Sequence, residues 1–330
     1  MRKRITLFIC TFLVIYLFDF FIPRLMPGDP LLYTSSVSGE DMDTEYSKEQ
    51  LDQMRAYYGL DQPLAEQLAQ TVRKNRTGDL GLSIHYKKPV TTVLKERLPW
   101  SLSVMGVSLI LSLVTGTALA LFGMQKKRFD RAAFRILSAL TEVPAYLVGL
   151  LLLFLVAAKV SWLPLSGGAT AFARYETGGE KAWGLISHGF LPVLSLDIVM
   201  FPGFYFTARA SFLEVMSKPY LMNARAKGLK AGRIRWSYIF RNGMTPIVVR
   251  FFLNVGTAVG GTLLIENVFA YPGLGLVMRE AVRYRDYTMI QGFFLLSTVL
   301  VLTSLFLADV LNAGIDREDL HRNASVGSLR

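Results

Sequence analysis

Six stretches of mostly apolar residues constrain this chain more than any other feature, because about twenty such residues are what an α-helix needs to cross a bilayer. They are Ile5–Pro23, Ser101–Met124, Phe134–Val160, Gly189–Ala208, Ile247–Ala270 and Met289–Ala313. Hydrocarbon offers a backbone no hydrogen-bond partner, so each run must satisfy its own amides. The expectation is therefore an all-α polytopic membrane protein with six transmembrane helices. Composition agrees: 52% of the residues are hydrophobic, more than a soluble domain carries.

The net charge of +11 raises nucleic acid as a partner. The excess lies beside the apolar runs, however, and no aromatic-basic recognition motif accompanies it. Membrane lipid is expected instead, and no nucleic acid. Arg2, Lys3 and Arg4, the segment "QKKRFDR", and the loop holding Lys218, Arg225, Lys227, Lys230, Arg233, Arg235 and Arg241 fall on one side of six spans. Basic short loops stay cytoplasmic, which puts both termini in the cytoplasm. The first run exceeds an ordinary signal-peptide core, and "IPRLMPGDP" follows it in place of a small-residue cleavage site, so it reads as a retained anchor.

Between the first two runs lies a long loop with structure of its own. "SKEQLDQMRAYYGL" spaces Leu51, Met54 and Tyr58 as a helix does and stops at Gly59. "AEQLAQTVRKN" predicts a second helix, and "TGDLGLSIHYKKPV" a turn with a short extended piece. This small cap is too poor in apolar residues to fold alone and is expected to pack on the span ends.

Chemistry-bearing residues are sparse. Cys10 is the single cysteine, and His85, His188 and His321 lie far apart, the first two in outer regions, so neither a disulfide framework nor a metal cluster is visible. Ionisable residues within spans are costly and usually face protein or water. Asp19 has Arg24 as a candidate partner. Asp197, mid-span, has two readings: a hydrogen bond to a neighbouring helix, or a carboxylate on a substrate path. Pro202 and Gly203 would break or kink that helix, and Pro144 the third one. Gly256, Ala258, Gly260 and Gly261 in the fifth run serve ordinary close packing or line a passage.

The loop between the fourth and fifth runs is the most particular segment. "NARAKGLKAGRIRWSYIFRNGMTP" places Ala224, Ala226 and Gly228 at alternate positions. It reads as two short helices around a glycine corner. Positive-inside charge explains its basic residues but not that spacing. Small side chains would let the corner enter a partner's groove.

This segment resembles the EAA loop of binding-protein-dependent ABC importer permeases, in the form found in the dipeptide/oligopeptide/nickel branch. "RLMPGDP", "YGLDQPLAEQ", "TGDLGLSIHYKKPV", "ERLPWSLSV" and "ENVFAYPGLGLVMREAVRYRDYTMIQG" are similar to further segments of that family, in family order. Met222 stands where the loop's acid is often found, and Asp316–Arg317 lacks the intervening proline. The resemblance implies the type I ABC importer permease fold and the first-permease, B-type subunit. It implies residues 1–29 as tail and helix 1, 30–99 as an extracytoplasmic cap, 100–313 as the core with a coupling loop at about 211–246, and 314–330 as a cytoplasmic tail. It implies ATPase coupling through Ala224, Arg225, Ala226, Lys227, Gly228 and Leu229. Candidates for the path are Asp197, Glu142, Asn254 and Glu266; Pro272, Gly273 and Gly275 would meet the binding protein.

The partners so implied are a second permease subunit, two ATPase subunits carrying ATP and Mg, and an extracytoplasmic substrate-binding protein. No cofactor is expected on this chain, no metal site and no catalytic residue; it has no Gly-rich phosphate loop of its own. Di- or oligopeptides are the leading cargo, with nickel or a metal chelate as the alternative. A secondary transporter would show inverted repeats, and a membrane enzyme would cluster histidines and carboxylates; neither pattern is present.

Overall fold

The computed structural model describes residues 2–27, 31, 47–170 and 177–327. The Gly-Asp-Pro end of "RLMPGDP", residues 32–46 of the cap and the side chains of Asp316 and Arg317 lie outside the described portion. Among the described residues the chain is helical, with one isolated β-bridge, Leu82–Pro89. Five helices are long and apolar enough to cross a membrane, and a bent pair makes a sixth.

In chain order the helices are α1 (Arg2–Arg24), α2 (Lys48–Tyr58), α3 (Leu64–Arg76), α4 (Val90–Gly123), α5 (Lys127–Leu140), α6 (Ala145–Leu155), α7 (Gly178–Met216), α8 (Pro219–Ala226), α9 (Ala231–Arg233), α10 (Arg241–Val268), α11 (Leu274–Arg283) and α12 (Tyr287–Gly327). They form two compact units: residues 1–101 with 272–300, and residues 102–271 with 301–330. Helices α4 and α12 contribute to both.

In the first unit, α2 starts where the sequence says it should. Ser47 and Gln50 form a reciprocal capping box, and Gly59 ends the helix at φ 68°. Helices α1 and α3 are tied together: Asn75 Nδ2 on α3 donates to Tyr16 OH on α1 at 2.9 Å, and Arg24 Nε at the end of α1 donates to Gln67 Oε1 on α3 at 3.0 Å. Asp19 does not take Arg24 as its partner. Five residues along a helix is about 140° around it, so the two point apart. Asp19 accepts instead from Thr298 Oγ1 at 3.2 Å. The extended piece is held by Asp286, which is fully buried and accepts from Ser83 Oγ, from His85 N at 3.0 Å and from Met289 N at 3.0 Å. Asp286 thereby caps the first turn of α12.

The second unit is built on α7 packed against α4, α5, α6 and α10. In lipid the expulsion of water does not drive helices together, so close backbone approach and hydrogen bonds must. Gly116 on α4 supplies one approach: a Cβ there would lie 2.6 Å from Phe201 O and 2.8 Å from Tyr205 N. Gly243 supplies another, its carbonyl accepting from Ser211 Oγ at 2.9 Å. Phe204, Tyr205, Phe212 and Ile247 fill the space between with no exposure.

The third apolar run is broken at Pro144, as its position led one to expect: α5 and α6 meet at an angle of 100° across Thr141–Pro144. Pro144 cannot donate its amide and fixes the backbone at the N-cap of α6. The fourth run is longer than expected and unbroken, since α7 passes through Pro192 and Pro202 over 39 residues. Its C-terminal half is clamped between α4, α5 and α10, which holds the helical path despite the lost amides. His188 lies within α7 and is buried, its Nδ1 2.7 Å from Gly184 O.

Candidate functional site

The connection from α7 to α10 begins where α7 ends at Met216, and Pro219 opens α8 at its first turn, where a missing amide costs nothing. Eight residues later the helix stops at a Schellman motif. Gly228 N donates to Arg225 O at 2.9 Å, Leu229 N donates to Ala224 O at 3.4 Å, and Gly228 sits in the left-handed region at φ 71°. A Cβ on Gly228 would meet nothing within 4 Å, so backbone conformation alone selects glycine here.

The chain then turns back at Ala231. The expected second short helix is instead the start of the fifth span: α9, a π-helical stretch Ile234–Phe240 and α10 run on as one 38-residue helix. Val215, Leu221 and Ile234 meet beneath the corner, with Leu229, Tyr238 and Ile239 against them. The corner is therefore propped on the ends of two spans. A cleft of about 230 Å³ beside it is lined by Met124, Phe212, Met216, Arg225 and Ile239 among others.

The six loop candidates divide into two faces. Arg225, Ala226, Lys227 and Gly228 are exposed, as are Met222 and Asn223. Ala224 is 3% exposed and turned inward, and Leu229 is half-buried. The smallness of Ala224 serves the chain's own packing; that of Ala226 is available to a partner. The signal for this division was Leu221, which repeats three positions before Ala224, as one helix face does.

The other candidates are scattered. Asp197 is buried and accepts from Ser112 Oγ at 2.7 Å. Asn254 and Glu266 are buried on α10, about three turns apart. Glu142 is exposed in the link between α5 and α6. Gly261 lets α10 approach α7, since a Cβ there would lie 2.7 Å from Leu196 Cδ1, whereas Gly260 has nothing within 4 Å. Pro272 is half-buried; Gly273 and Gly275 are buried, and Leu274 N donates to Ser101 Oγ at 2.8 Å. No group of three or more His, Cys, Asp or Glu converges among the described residues.

Residues 108–318 match the family described as binding-protein-dependent transport system inner membrane component. The chain belongs to that family. It is a permease subunit of an ABC importer, a multi-pass inner-membrane protein. It is 29% identical over 316 residues to the glutathione transport system permease protein GsiC of Escherichia coli strain K12, covering 95% of this chain and 96% of that one. The same protein from Shigella flexneri serotype 5b is 29% identical over the same coverage. The oligopeptide transport system permease protein AppB of Bacillus subtilis is 28% identical over 318 residues, again 95% and 96% of the two chains.

Sequence reasoning missed the ion pair of Asp130 with Arg209, which fixes α5 on α7. The segment "QKKRFDR" was legible only as charge. A partner 79 positions away leaves no local trace.

Proposed function

We propose that α8 and its glycine corner are the coupling element of this permease, docking into a cleft on a separate ATPase subunit at the cytoplasmic face. The observation that carries this reading is the corner itself: a capped, basic, exposed turn packed through Leu221 on Val215 at the end of α7 and on Ile234 at the start of the fifth span. Movement of the corner is movement of two spans, with no flexible linker to absorb it. Arg225 and Lys227 would meet acidic side chains at the rim of the cleft. The work is differential binding of nucleotide between two states of the assembly, with no chemistry in this chain.

The assembly would hold this subunit, a second permease, two ATPases and an extracytoplasmic binding protein, with residues 30–99 and the turn at Pro272 toward that protein. Peptides are the proposed cargo, supported by the substrates in the relatives' names, glutathione and oligopeptide. Asp197, Asn254 and Glu266 would border the path.

Proteoliposomes of the assembled importer test the coupling role. Gly228→Leu should insert normally yet separate ATP hydrolysis from uptake, with uptake falling at least tenfold. Undiminished uptake would remove the assignment. Ligand identification on the binding protein tests the cargo; tight binding of a nickel chelate and no peptide would reverse it.

A further inference from the structure

Helix α5 has three faces, not two. At 100° per residue, Asp130 and Leu137 share one side, Lys127, Arg131 and Arg135 a second, and Phe129, Ala132 and Ile136 a third. The first side faces α7: Leu137 is buried, and the part-buried Asp130 receives Arg209 Nε and Nη2 at 2.7 and 2.6 Å, and Tyr205 OH at 2.9 Å. The second is exposed and cationic, with Arg128 beside it. The third is exposed and apolar, Phe129 at 48% and Ile136 at 67%.

The direction of α5 follows from its contacts. Arg209 pairs with Asp130 and also stacks over the Phe134 ring at 5.3 Å, while Phe134 meets Phe206 edge-on at 5.2 Å. Helix α6 runs along α10, its Ala145 facing Gly261 and its Gly149 facing Val268 and Phe269, and α5 is bent from α6 by 100°, so α5 lies across that direction. Helix α6 is apolar on all sides, with Val148 and Gly149 buried in the protein and Phe154 69% exposed, the surface that a hydrocarbon setting suits.

We propose that α5 lies in the plane of the membrane at the headgroup level and binds anionic phospholipid. Phe129 and Ile136 enter the acyl region, and Arg128, Arg131 and Arg135 reach headgroup phosphates. The lone acid of the helix is already neutralised by Arg209, so the cationic side has no internal counter-charge from α5. Charge complementarity with an anionic leaflet follows. A soluble ATPase surface would match the arginines but leave Phe129 and Ile136 in water. This is the arrangement of interfacial amphipathic helices, and it does not depend on the coupling role of α8.

Nitroxide labels at Phe129→Cys and Ile136→Cys, in a Cys10→Ser background of the assembled importer in nanodiscs, test the orientation. The two positions lie about 10 Å apart along the helix axis on nearly one face. Equal depths below the headgroups support the proposal; depths differing by most of that distance overturn it. The lipid is tested with mixed phosphatidylglycerol and phosphatidylcholine nanodiscs. The triple variant Arg128→Gln, Arg131→Gln, Arg135→Gln should lose the preference for phosphatidylglycerol by roughly tenfold or more. An unchanged preference refutes it. So does a label at Arg131→Cys that is immobilised only when ATPase subunits are present, which would give the basic side to protein.

Discussion

Ser112 on α4 donates its hydroxyl to Oδ1 of Asp197 on α7 at 2.7 Å, with both residues buried. Of the two readings open for Asp197, the helix-to-helix hydrogen bond is realised in this structure, and it leaves the carboxylate able to serve a path as well. Ser112→Ala removes the donor and strands a buried acceptor, which costs about 1–3 kcal/mol. Asp197→Asn keeps an acceptor for Ser112 and should cost less. Thermal unfolding of the assembled complex checks both. Equal losses for the two variants would mean that the hydrogen bond is not the source of the effect.

Gly116 is expected to be the least replaceable glycine of the second unit. A Cβ there meets Phe201 O and Tyr205 N, which are backbone atoms and cannot swing aside. Gly116→Ala must push α4 off α7, costing about 1–3 kcal/mol or more, and should lower the yield of folded complex. Gly260→Ala is the matched control within this chain, because its Cβ would meet nothing within 4 Å. Similar yields for the two would remove the close-approach argument.

What could be read from the sequence, and what could not, divides by distance along the chain. Ser47, Gln50 and Gly59 announce α2 because caps act on backbone groups three or four residues away. The corner at Gly228 is legible for the same reason. Pro144 signalled a break but not its angle, because the direction of α5 is set by contacts with other helices, Asp130 with Arg209 among them, that leave no local trace. Pro202 and Gly203 left a break or a kink open, and α7 continues unbroken through them, held by packing from α4, α5 and α10. Ala224 faces inward because Leu221 and Ile234 meet beside it, a contact that helix spacing within α8 suggests only in part.

His85 gives a pH dependence with a definite sign. Its ring stacks on Tyr284 at 4.1 Å, and burial holds its pKa below the ordinary histidine value of 6.5, partly offset by Glu280 and Asp286. The folded state therefore favours the neutral ring. The stabilisation is complete above pH 6.5 and is lost as pH falls through that value toward the lowered one. Protection factors at residues 83–89 of the assembled importer, which divide out the intrinsic slowing of amide exchange in acid, should fall between pH 7 and pH 5. In His85→Gln that fall should vanish; its persistence would assign the effect to other groups.

The pair Asp130–Arg209 sets the hold of α5 on α7. It is bidentate, its side chains are only 13% and 25% exposed, and Tyr205 OH adds a third bond to the same carboxylate. Removing one partner of such a pair leaves a charge that little water reaches. Asp130→Ala should cost about 2 kcal/mol, reduced from the fully buried case because Arg209 retains some solvent. Arg209→Lys keeps the charge but not the two-pronged geometry, and should fall between the variant and the parent. Hydrogen exchange over residues 127–140 is the local readout. It should rise most for Asp130→Ala and less for Arg209→Lys, while residues 47–76 stay unchanged. If α5 exchanges at the parental rate in both variants, its position is fixed by Leu137 and Phe134 packing, and the ion pair is incidental.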